Sequence, residues 1–336
     1  MPACPTISDA PIQAAQIVAA EYGWEAPTSM TLVAQGAMGR IWRLRTATAS
    51  YAVKELLWTV ADPDTESVAA AQVDFCAAAI RAGVLAPHNL QTRGGHYLLA
   101  LPGRFDGIVV RSYSWVDGSL MVGREAEAAE WLGRTLAAIE RMDVRCSGRN
   151  VDPWFVEVPS ESHWPALAAR AEAAGVIWAA RLRDAIGMLV DLGPHVSAPD
   201  PTELVMTHTD LRPQNVLVDD AGHFVLLDWD DAGPLSRDRV VASALVAWHV
   251  HDGKTDTEAI RRTLAAYRAS GGRARLTDAD VFGELIAGSL NYLNGQAGIA
   301  LDDQQGCKIR AAANDQVIEL LAHPIDLHAF TPILSA

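Results

Sequence analysis

Thr207-His208-Thr209-Asp210-Leu211-Arg212-Pro213-Gln214-Asn215-Val216-Leu217-Val218, followed after a polar turn by Val225-Leu226-Leu227-Asp228-Trp229-Asp230-Asp231, is the stretch on which the reading of this chain turns. Asn215 stands five residues after Asp210, and Asp228 thirteen further on. Apolar runs over 215–218 and 223–227 flank Asp219-Asp220-Ala221-Gly222, which predicts a hairpin. A loop ending in the first strand sets Asp210 and Asn215 side by side, and the returning strand delivers Asp228 beside them. Two carboxylates and an amide oxygen meeting there form a hard, oxygen-rich site. Such a site suits Mg²⁺, which keeps several waters and takes its remaining ligands from phosphates. Phosphoryl transfer needs this arrangement plus one carboxylate near the attacking hydroxyl. Loop shaping and turn capping would account for each residue singly, but not for all three offsets together with His208 and the hairpin.

Outward from this stretch the texture is uneven. Towards the amino terminus the pattern predicts a helix closed by Gly23 and short strands over 31–34, 41–45 and 51–57. An alanine-rich helix over 65–82 and strands over 96–101 and 107–113 follow. Beyond Trp115, helices are predicted over 125–142, 164–174, 177–191, 237–250, 256–270, 278–300 and 308–322, interrupted only by the hairpin. The expected class is α+β, with a small β-rich part over 1–115 and a larger helical part over 116–336.

With 336 residues, 50% hydrophobic and 20% charged, the chain has material for two domains and a sizeable core. Lys and Arg number 27 against 41 Asp and Glu, a net charge of −14. An acidic surface repels phosphate backbones, so no nucleic acid is expected, and a cationic small molecule is the more natural partner. Cys4, Cys76, Cys146 and Cys307 form no CxxC pair, which excludes a zinc ribbon and favours reduced thiols. The start lacks a basic and an apolar signal region, and the longest apolar run, near 240–248, is about half a membrane span. A cytoplasmic protein without a membrane partner is expected, as monomer or homodimer.

Two further segments carry chemistry. Gln35-Gly36-Ala37-Met38-Gly39-Arg40 lies between two predicted strands, where its glycines let backbone N–H groups approach phosphate oxygens or simply close a hairpin. Lys54 lies within the apolar run 51–57, where burial without an anion is unfavourable.

His208-x-Asp210-x-x-x-x-Asn215 followed by Asp228 resembles the catalytic loop and metal-binding aspartate of the protein-kinase-like fold. The Asp228-Trp229-Asp230 version, with Asp238 ahead of an apolar helix, is similar to the aminoglycoside phosphotransferase and choline kinase-like family. The resemblance implies a bilobal fold with a nucleotide cleft, and ATP-dependent phosphorylation of a small-molecule hydroxyl, with GTP open as an alternative donor. It implies that Asp210 is catalytic and that Asn215 and Asp228 bind Mg²⁺. By the same resemblance Gly36, Met38 and Gly39 cover the phosphates, Lys54 holds them, and backbone groups of Ser112, Tyr113 and Ser114 receive adenine. The family places a glutamate on the helix after Lys54 to pair with it; here Gln72 occupies that position, with Glu66 as the other candidate.

Other signals discount themselves. Gly253-Lys254-Thr255 lacks the glycine that a phosphate-binding loop needs at position 248, which is Trp248. His249 and His251 read as helix-end polar residues, and no Gly-x-Ser-x-Gly or His-Glu-x-x-His occurs. A protein kinase is disfavoured because Trp229-Asp230 replaces Phe-Gly after Asp228 and no Ala-Pro-Glu follows. A silent nucleotide-binding pseudokinase has only Gln72 in its favour. Asp230, Trp248, His249, Asp252 and Asn291 are the candidate acceptor contacts. The acceptor expected is an aminoglycoside, amino sugar or other cationic antibiotic-like molecule, with choline, neutral sugars and homoserine-like alcohols as alternatives.

Overall fold

The computed structural model describes residues 7–36, 39–57, 59–121, 128–144, 150–251 and 253–335, the side chain of Lys308 excepted. Met38, Trp58, Asp252, Cys4 and Cys146 lie outside the described residues. The chain forms two compact units, Met1–Met121 with Gln214–Ala232, and Val122–Pro213 with Gly233–Ala336. Elements are numbered below in chain order.

The first unit is built on antiparallel strands β1 (Ser29–Gln35), β2 (Gly39–Arg45), β3 (Ser50–Leu56), β4 (Asn89–Leu90), β5 (Leu98–Ala100) and β6 (Val109–Ser114). Their order is β1-β2-β3-β6-β4, with β5 also on β6. Helix α1 (Pro11–Tyr22) has proline in its first turn and ends on Gly23 at φ +74°, a left-handed cap that glycine adopts without strain. Helix α2 (Pro63–Arg81) starts two residues before its predicted position, because Asp62 caps it by accepting from the Thr65 and Asp64 backbone N–H groups at 2.8 and 3.0 Å.

Side chains alternate across a strand, so the sheet has two distinct faces. Val53 and Val110 join Trp42 and Leu44 in a core with Ala14, Ala15 and Val18 of α1. Val109 packs on the other side with Leu98 and with Ala69 of α2. Lys54 and Arg111, each next in sequence to one of the α1-facing valines or two from Val109, share that second face and are direct cross-strand partners.

Strand β7 (Gly118–Leu120) and the hairpin strands β9 (Val216–Asp219) and β10 (Phe224–Leu226) complete this unit. These units differ from the division expected at 115/116: β7 pairs with β9 through Gly118↔Asp219, Ser119↔Val218 and Leu120↔Leu217, which ties the hairpin to the sheet unit.

The second unit is mainly helical. It contains α3 (Ala129–Arg141), α4 (His163–Ala173), α5 (Ala179–Leu192), α6 (Arg237–His249), α7 (Thr257–Ala269), α8 (Gly283–Ala300), α9 (Cys307–Ala322) and α10 (Leu327–Leu334). Strands β8 (Leu204–Thr207) and β11 (Gly233–Ser236) pair with each other, as do the short β12 (Val250–His251) and β13 (Lys254–Thr255). The sequence pattern did not suggest β8, β11 or α10, which are short and lack clear periodicity. Cys76 is a buried free thiol and Cys307 an exposed one. Among the described residues no single helix is long and apolar enough to cross a membrane.

Helices α3 and α7 touch at Gly133, where a Cβ would overlap the Thr263 carbonyl oxygen and lie 2.8 Å from the Tyr267 backbone nitrogen. Gly133→Ala is therefore expected to destabilise the chain by roughly 1–3 kcal/mol through overpacking, despite the better helix propensity of alanine. Urea unfolding of the full chain checks this; an unchanged midpoint would refute the close backbone approach.

Candidate active site

The hairpin that carries Asn215 and Asp228 is held from several sides. The Leu227 N–H donates to the Asn215 carbonyl at 2.8 Å, which brings Asp228 next to Asn215 at the open end of the hairpin. The Met121 N–H donates to the Val216 carbonyl at 2.9 Å and the Leu226 N–H to the Leu85 carbonyl at 2.8 Å. Asp228 leaves the strand with φ +58° and ψ +59°, a left-handed conformation that aspartate tolerates better than most residues. Trp229 then turns inward. It is fully buried, its Nε1–H donates to the Leu226 carbonyl at 3.0 Å, and its ring meets Phe75 of α2 edge-on at 5.8 Å. This anchor fixes the aspartates on either side of it.

Lys54 meets both of them. Its Nζ lies 2.5 Å from Asp228 Oδ1 and 2.9 Å from Asp230 Oδ2. The expected pairing with Gln72 or Glu66 is corrected here. Gln72 accepts from Arg111 Nη1 at 3.0 Å and donates to the Asp230 carbonyl. Glu66 accepts from the backbone N–H groups of Tyr97 and Leu98 at 2.7 and 3.0 Å. Asp230 is corrected as an acceptor contact by the same geometry, since its carboxylate also meets Arg111 at 2.9 Å and the Tyr113 hydroxyl at 2.5 Å. Arg111 and the Tyr113 hydroxyl were missed by sequence reasoning; the available signal was an arginine inside the otherwise apolar run Val109-Val110-Arg111.

Burial opposes the charge on Lys54, but the carboxylates of Asp230 and then Asp228 outweigh it and hold the lysine above its usual pKa. Burial likewise opposes ionisation of Asp230, and Lys54 and Arg111 reverse this, bringing its carboxyl down to about 2. A depressed acid contributes stability above its unfolded pKa of about 3.9 that is lost as pH falls towards the folded value. A raised lysine contributes stability below about 10.4 that is lost as pH rises through its folded value. The pair therefore stays charged across the whole neutral range.

The other residues expected to meet the nucleotide divide. The Gly36 N–H donates to the Gly39 carbonyl at 2.9 Å, closing the turn between β1 and β2. A Cβ at Gly39 would sit 2.7 Å from the Glu55 carbonyl oxygen, so the approach of β2 to β3 requires glycine there. The adenine role expected for Ser112, Tyr113 and Ser114 is corrected. Ser112 and Tyr113 are paired with β3 on one side and β4 on the other, and the Ser114 N–H donates to the His88 carbonyl at 2.9 Å. The ladder ends at Ser114, so Trp115–Asp117 are the next backbone groups beyond it.

The part of the expected catalytic loop up to Pro213 belongs to the helical unit. Thr209 takes φ +58°, a strained conformation for a β-branched residue, immediately before Asp210. The Asp210 N–H donates to the His208 carbonyl at 2.8 Å and the Arg212 N–H to the Asp210 carbonyl at 3.1 Å. The Asp210 carboxylate is 24% exposed and pairs with Arg212, itself 55% exposed. Trp248 is corrected as an acceptor contact: it is fully buried and its Nε1–H donates to the Leu211 carbonyl at 3.0 Å. His249 is also in the core, with Nε2 2.8 Å from the Thr263 hydroxyl. Asn291 donates its amide to the Trp154 and Glu157 carbonyls at 2.8 and 2.7 Å, a loop-fixing role. Among the described residues no cluster of three or more His, Cys, Asp or Glu side chains could hold a metal ion. The oxygens of Asn215 and Asp228 are nonetheless the hard donors that Mg²⁺ takes.

The sheet unit thus carries a buried lysine on a carboxylate hairpin, and the helical unit a strained loop before Asp210. The family model of the phosphotransferase enzyme family matches residues 29–278, and the chain belongs to this family. Among solved structures the fold is similar to spectinomycin phosphotransferase APH(9)-Ia in complex with ADP and spectinomycin, with a TM-score of 0.63 at 12% identity over 96% of this chain and 97% of that one. It is also similar to the amicoumacin kinase hAmiN in complex with AMP-PNP and Ca²⁺, with a TM-score of 0.58 at 16% identity over 93% and 94%. A microcompartment-associated aminopropanol kinase gives a TM-score of 0.54 at 17% identity over 88% and 90%. The curated proteins give no match.

Glu284, in the first turn of α8, is a further titratable group of the helical unit that the sequence did not single out. It is 3% exposed, and its Oε2 has no hydrogen-bond partner among the described residues. Burial pushes its carboxyl up to about 8, Arg239 opposes this, and the charge of Asp210 adds to it. A carboxyl raised in the native state holds a proton that the unfolded chain releases, so wild-type stability should fall as pH rises from about 4.3 to the folded value. Glu284→Gln removes that component, up to about 1.4 kcal/mol per pH unit. Urea unfolding at pH 5 and pH 8 is expected to show the variant gaining on wild type at the higher pH, and equal differences at the two values would contradict the assignment.

Proposed function

We propose that this phosphotransferase moves the γ-phosphoryl group of ATP to a hydroxyl of a small amine-bearing molecule. The observation that carries the reading is the Lys54–Asp228 contact of 2.5 Å on a hairpin that also presents Asn215, in a chain of the phosphotransferase family. Lys54 binds phosphate oxygens, and the Gly36–Gly39 turn covers them. Asn215 and Asp228 would hold Mg²⁺, which when bound neutralises charge on the triphosphate. Asp210 orients the acceptor hydroxyl. As the acceptor O–P bond forms and the bond from Pγ to the ADP oxygen breaks, the hydroxyl proton passes to the Asp210 carboxylate. Positioning and electrostatics supply the rate enhancement in such a transfer.

The net charge of −14 favours a cationic acceptor. An amino alcohol, the class that aminopropanol exemplifies, or an antibiotic such as spectinomycin fits both this charge and the structurally similar kinases. Backbone groups of Trp115–Asp117, beyond the β6 ladder, are the candidates for adenine. The setting is an aqueous cell compartment.

The test is ADP release in Mg²⁺-ATP with aminoglycosides, spectinomycin, amino alcohols, choline and neutral sugars as acceptors. Acceptor-stimulated turnover is expected with an amine-bearing member. Asp210→Asn should lower kcat by roughly 10²–10⁴-fold while nucleotide binding persists. Full turnover in that variant would remove Asp210 from the reaction.

A further inference from the structure

Lys54 and Arg111 stand directly opposite each other on β3 and β6, 8% and 2% exposed. Like charges at such a cross-strand position repel, and buried cations without an anion are strongly unfavourable. One carboxylate answers both. Asp230 Oδ1 lies 2.9 Å from Arg111 Nη1, and Oδ2 lies 2.9 Å from Lys54 Nζ. The Tyr113 hydroxyl donates to Oδ1 at 2.5 Å. Arg111 is itself fixed, since its Nε and Nη2 donate to Asn89 Oδ1 at 3.1 and 2.8 Å.

We propose that Asp230 is the positioning residue for Lys54, locked by Arg111, in place of a carboxylate on α2. The proposal rests on the nucleotide-using reading above. The acidic residues of α2 do not serve Lys54: Glu66 is engaged by the Tyr97 and Leu98 backbone, and Asp64 and Asp74 are exposed. Asp228 does meet Lys54, but it is also the residue assigned to Mg²⁺, which leaves Asp230 as the carboxylate committed to the lysine. Gln72 fits this relocated charge. A neutral amide accepts from Arg111 and donates to the Asp230 carbonyl together, whereas a carboxylate there would accept only and would compete for Arg111. Because buried Trp229 separates Asp228 from Asp230, the lysine anchor and the metal ligand are held by one rigid turn.

The experiment compares wild type, Asp230→Asn, and Asp230→Asn combined with Arg111→Gln, by thermal unfolding and by calorimetric titration with Mg²⁺-ATP. The single variant leaves Arg111 without its anion and is expected to melt lower. The double variant carries neither charge and should recover most of that loss. If Asp230 positions Lys54, the double variant still binds Mg²⁺-ATP more weakly by roughly tenfold or more. Its KM for ATP should rise in step, with the KM for the acceptor unchanged. A double variant that melts and binds Mg²⁺-ATP like wild type would overturn the proposal, because Asp230 would then serve Arg111 alone. Wild type that does not bind Mg²⁺-ATP would instead overturn the nucleotide-using reading, and the proposal with it.

Discussion

Two cations buried on one face of a sheet must be neutralised from outside that sheet, and this constraint organises the first unit. Neighbouring strands offer Lys54 and Arg111 no acid: the cross-strand partner of each is the other, and Glu55 alternates to the far face, where it binds Arg40 at 2.9 Å and Trp42 Nε1 at 3.0 Å. The anion comes from residue 230, more than a hundred positions along the chain from either cation. Holding it there requires that the hairpin belong to the sheet unit. The β7–β9 pairing, the Leu226–Leu85 backbone bond and the Trp229–Phe75 contact all meet that requirement. These local features share one electrostatic cause.

The same constraint bears on chemistry. The phosphate-binding role proposed for Lys54 needs a lysine that stays charged while largely out of water, and burial alone would drive it towards the neutral form. Two carboxylates beside it reverse that tendency. One of them, Asp228, pays for its place with a left-handed backbone, and the turn tightens immediately into the buried Trp229. Backbone strain persists only where its surroundings over-determine it, and the hairpin supplies that over-determination.

Sequence disclosed some of this and hid the rest for physical reasons. The hairpin, α1, α2 and the long helices were legible because their periodicity and caps are local. The juxtaposition of Asn215 and Asp228 followed from the hairpin turn, whereas the close approach of Gly39 to Glu55 was not anticipated. The partner of Lys54 was not legible. Gln72 signalled that a helix carboxylate was missing but carried no information about where the charge had gone, since Arg111 and Asp230 meet only through tertiary packing. The tie between the hairpin and the sheet unit was hidden for a related reason: β7 has three residues, too few for an alternating pattern, yet it pairs with β9 of the hairpin. Trp248 and His249 misled because polar aromatic residues near a predicted helix end suit a binding wall and a hydrogen-bonded core equally well.

Those two residues still bear on the loop that carries Asp210, through its backbone. Thr209 holds an unfavourable φ directly before Asp210, and a loop so strained relaxes unless its flanks are fixed. His208 is fully buried on one side, and on the other the Trp248 indole N–H binds the Leu211 carbonyl. His249 extends the brace by binding Thr263 of α7 at 2.8 Å. The side-chain partner of Asp210, by contrast, is the half-exposed Arg212, and exposed ion pairs contribute little to rigidity. The carboxylate is therefore aimed by main chain braced from α6, while its ion-pair partner is half exposed and adds little to that fixity. The proton-accepting role proposed for Asp210 needs both properties: a fixed direction, and a neighbour that the acceptor can displace.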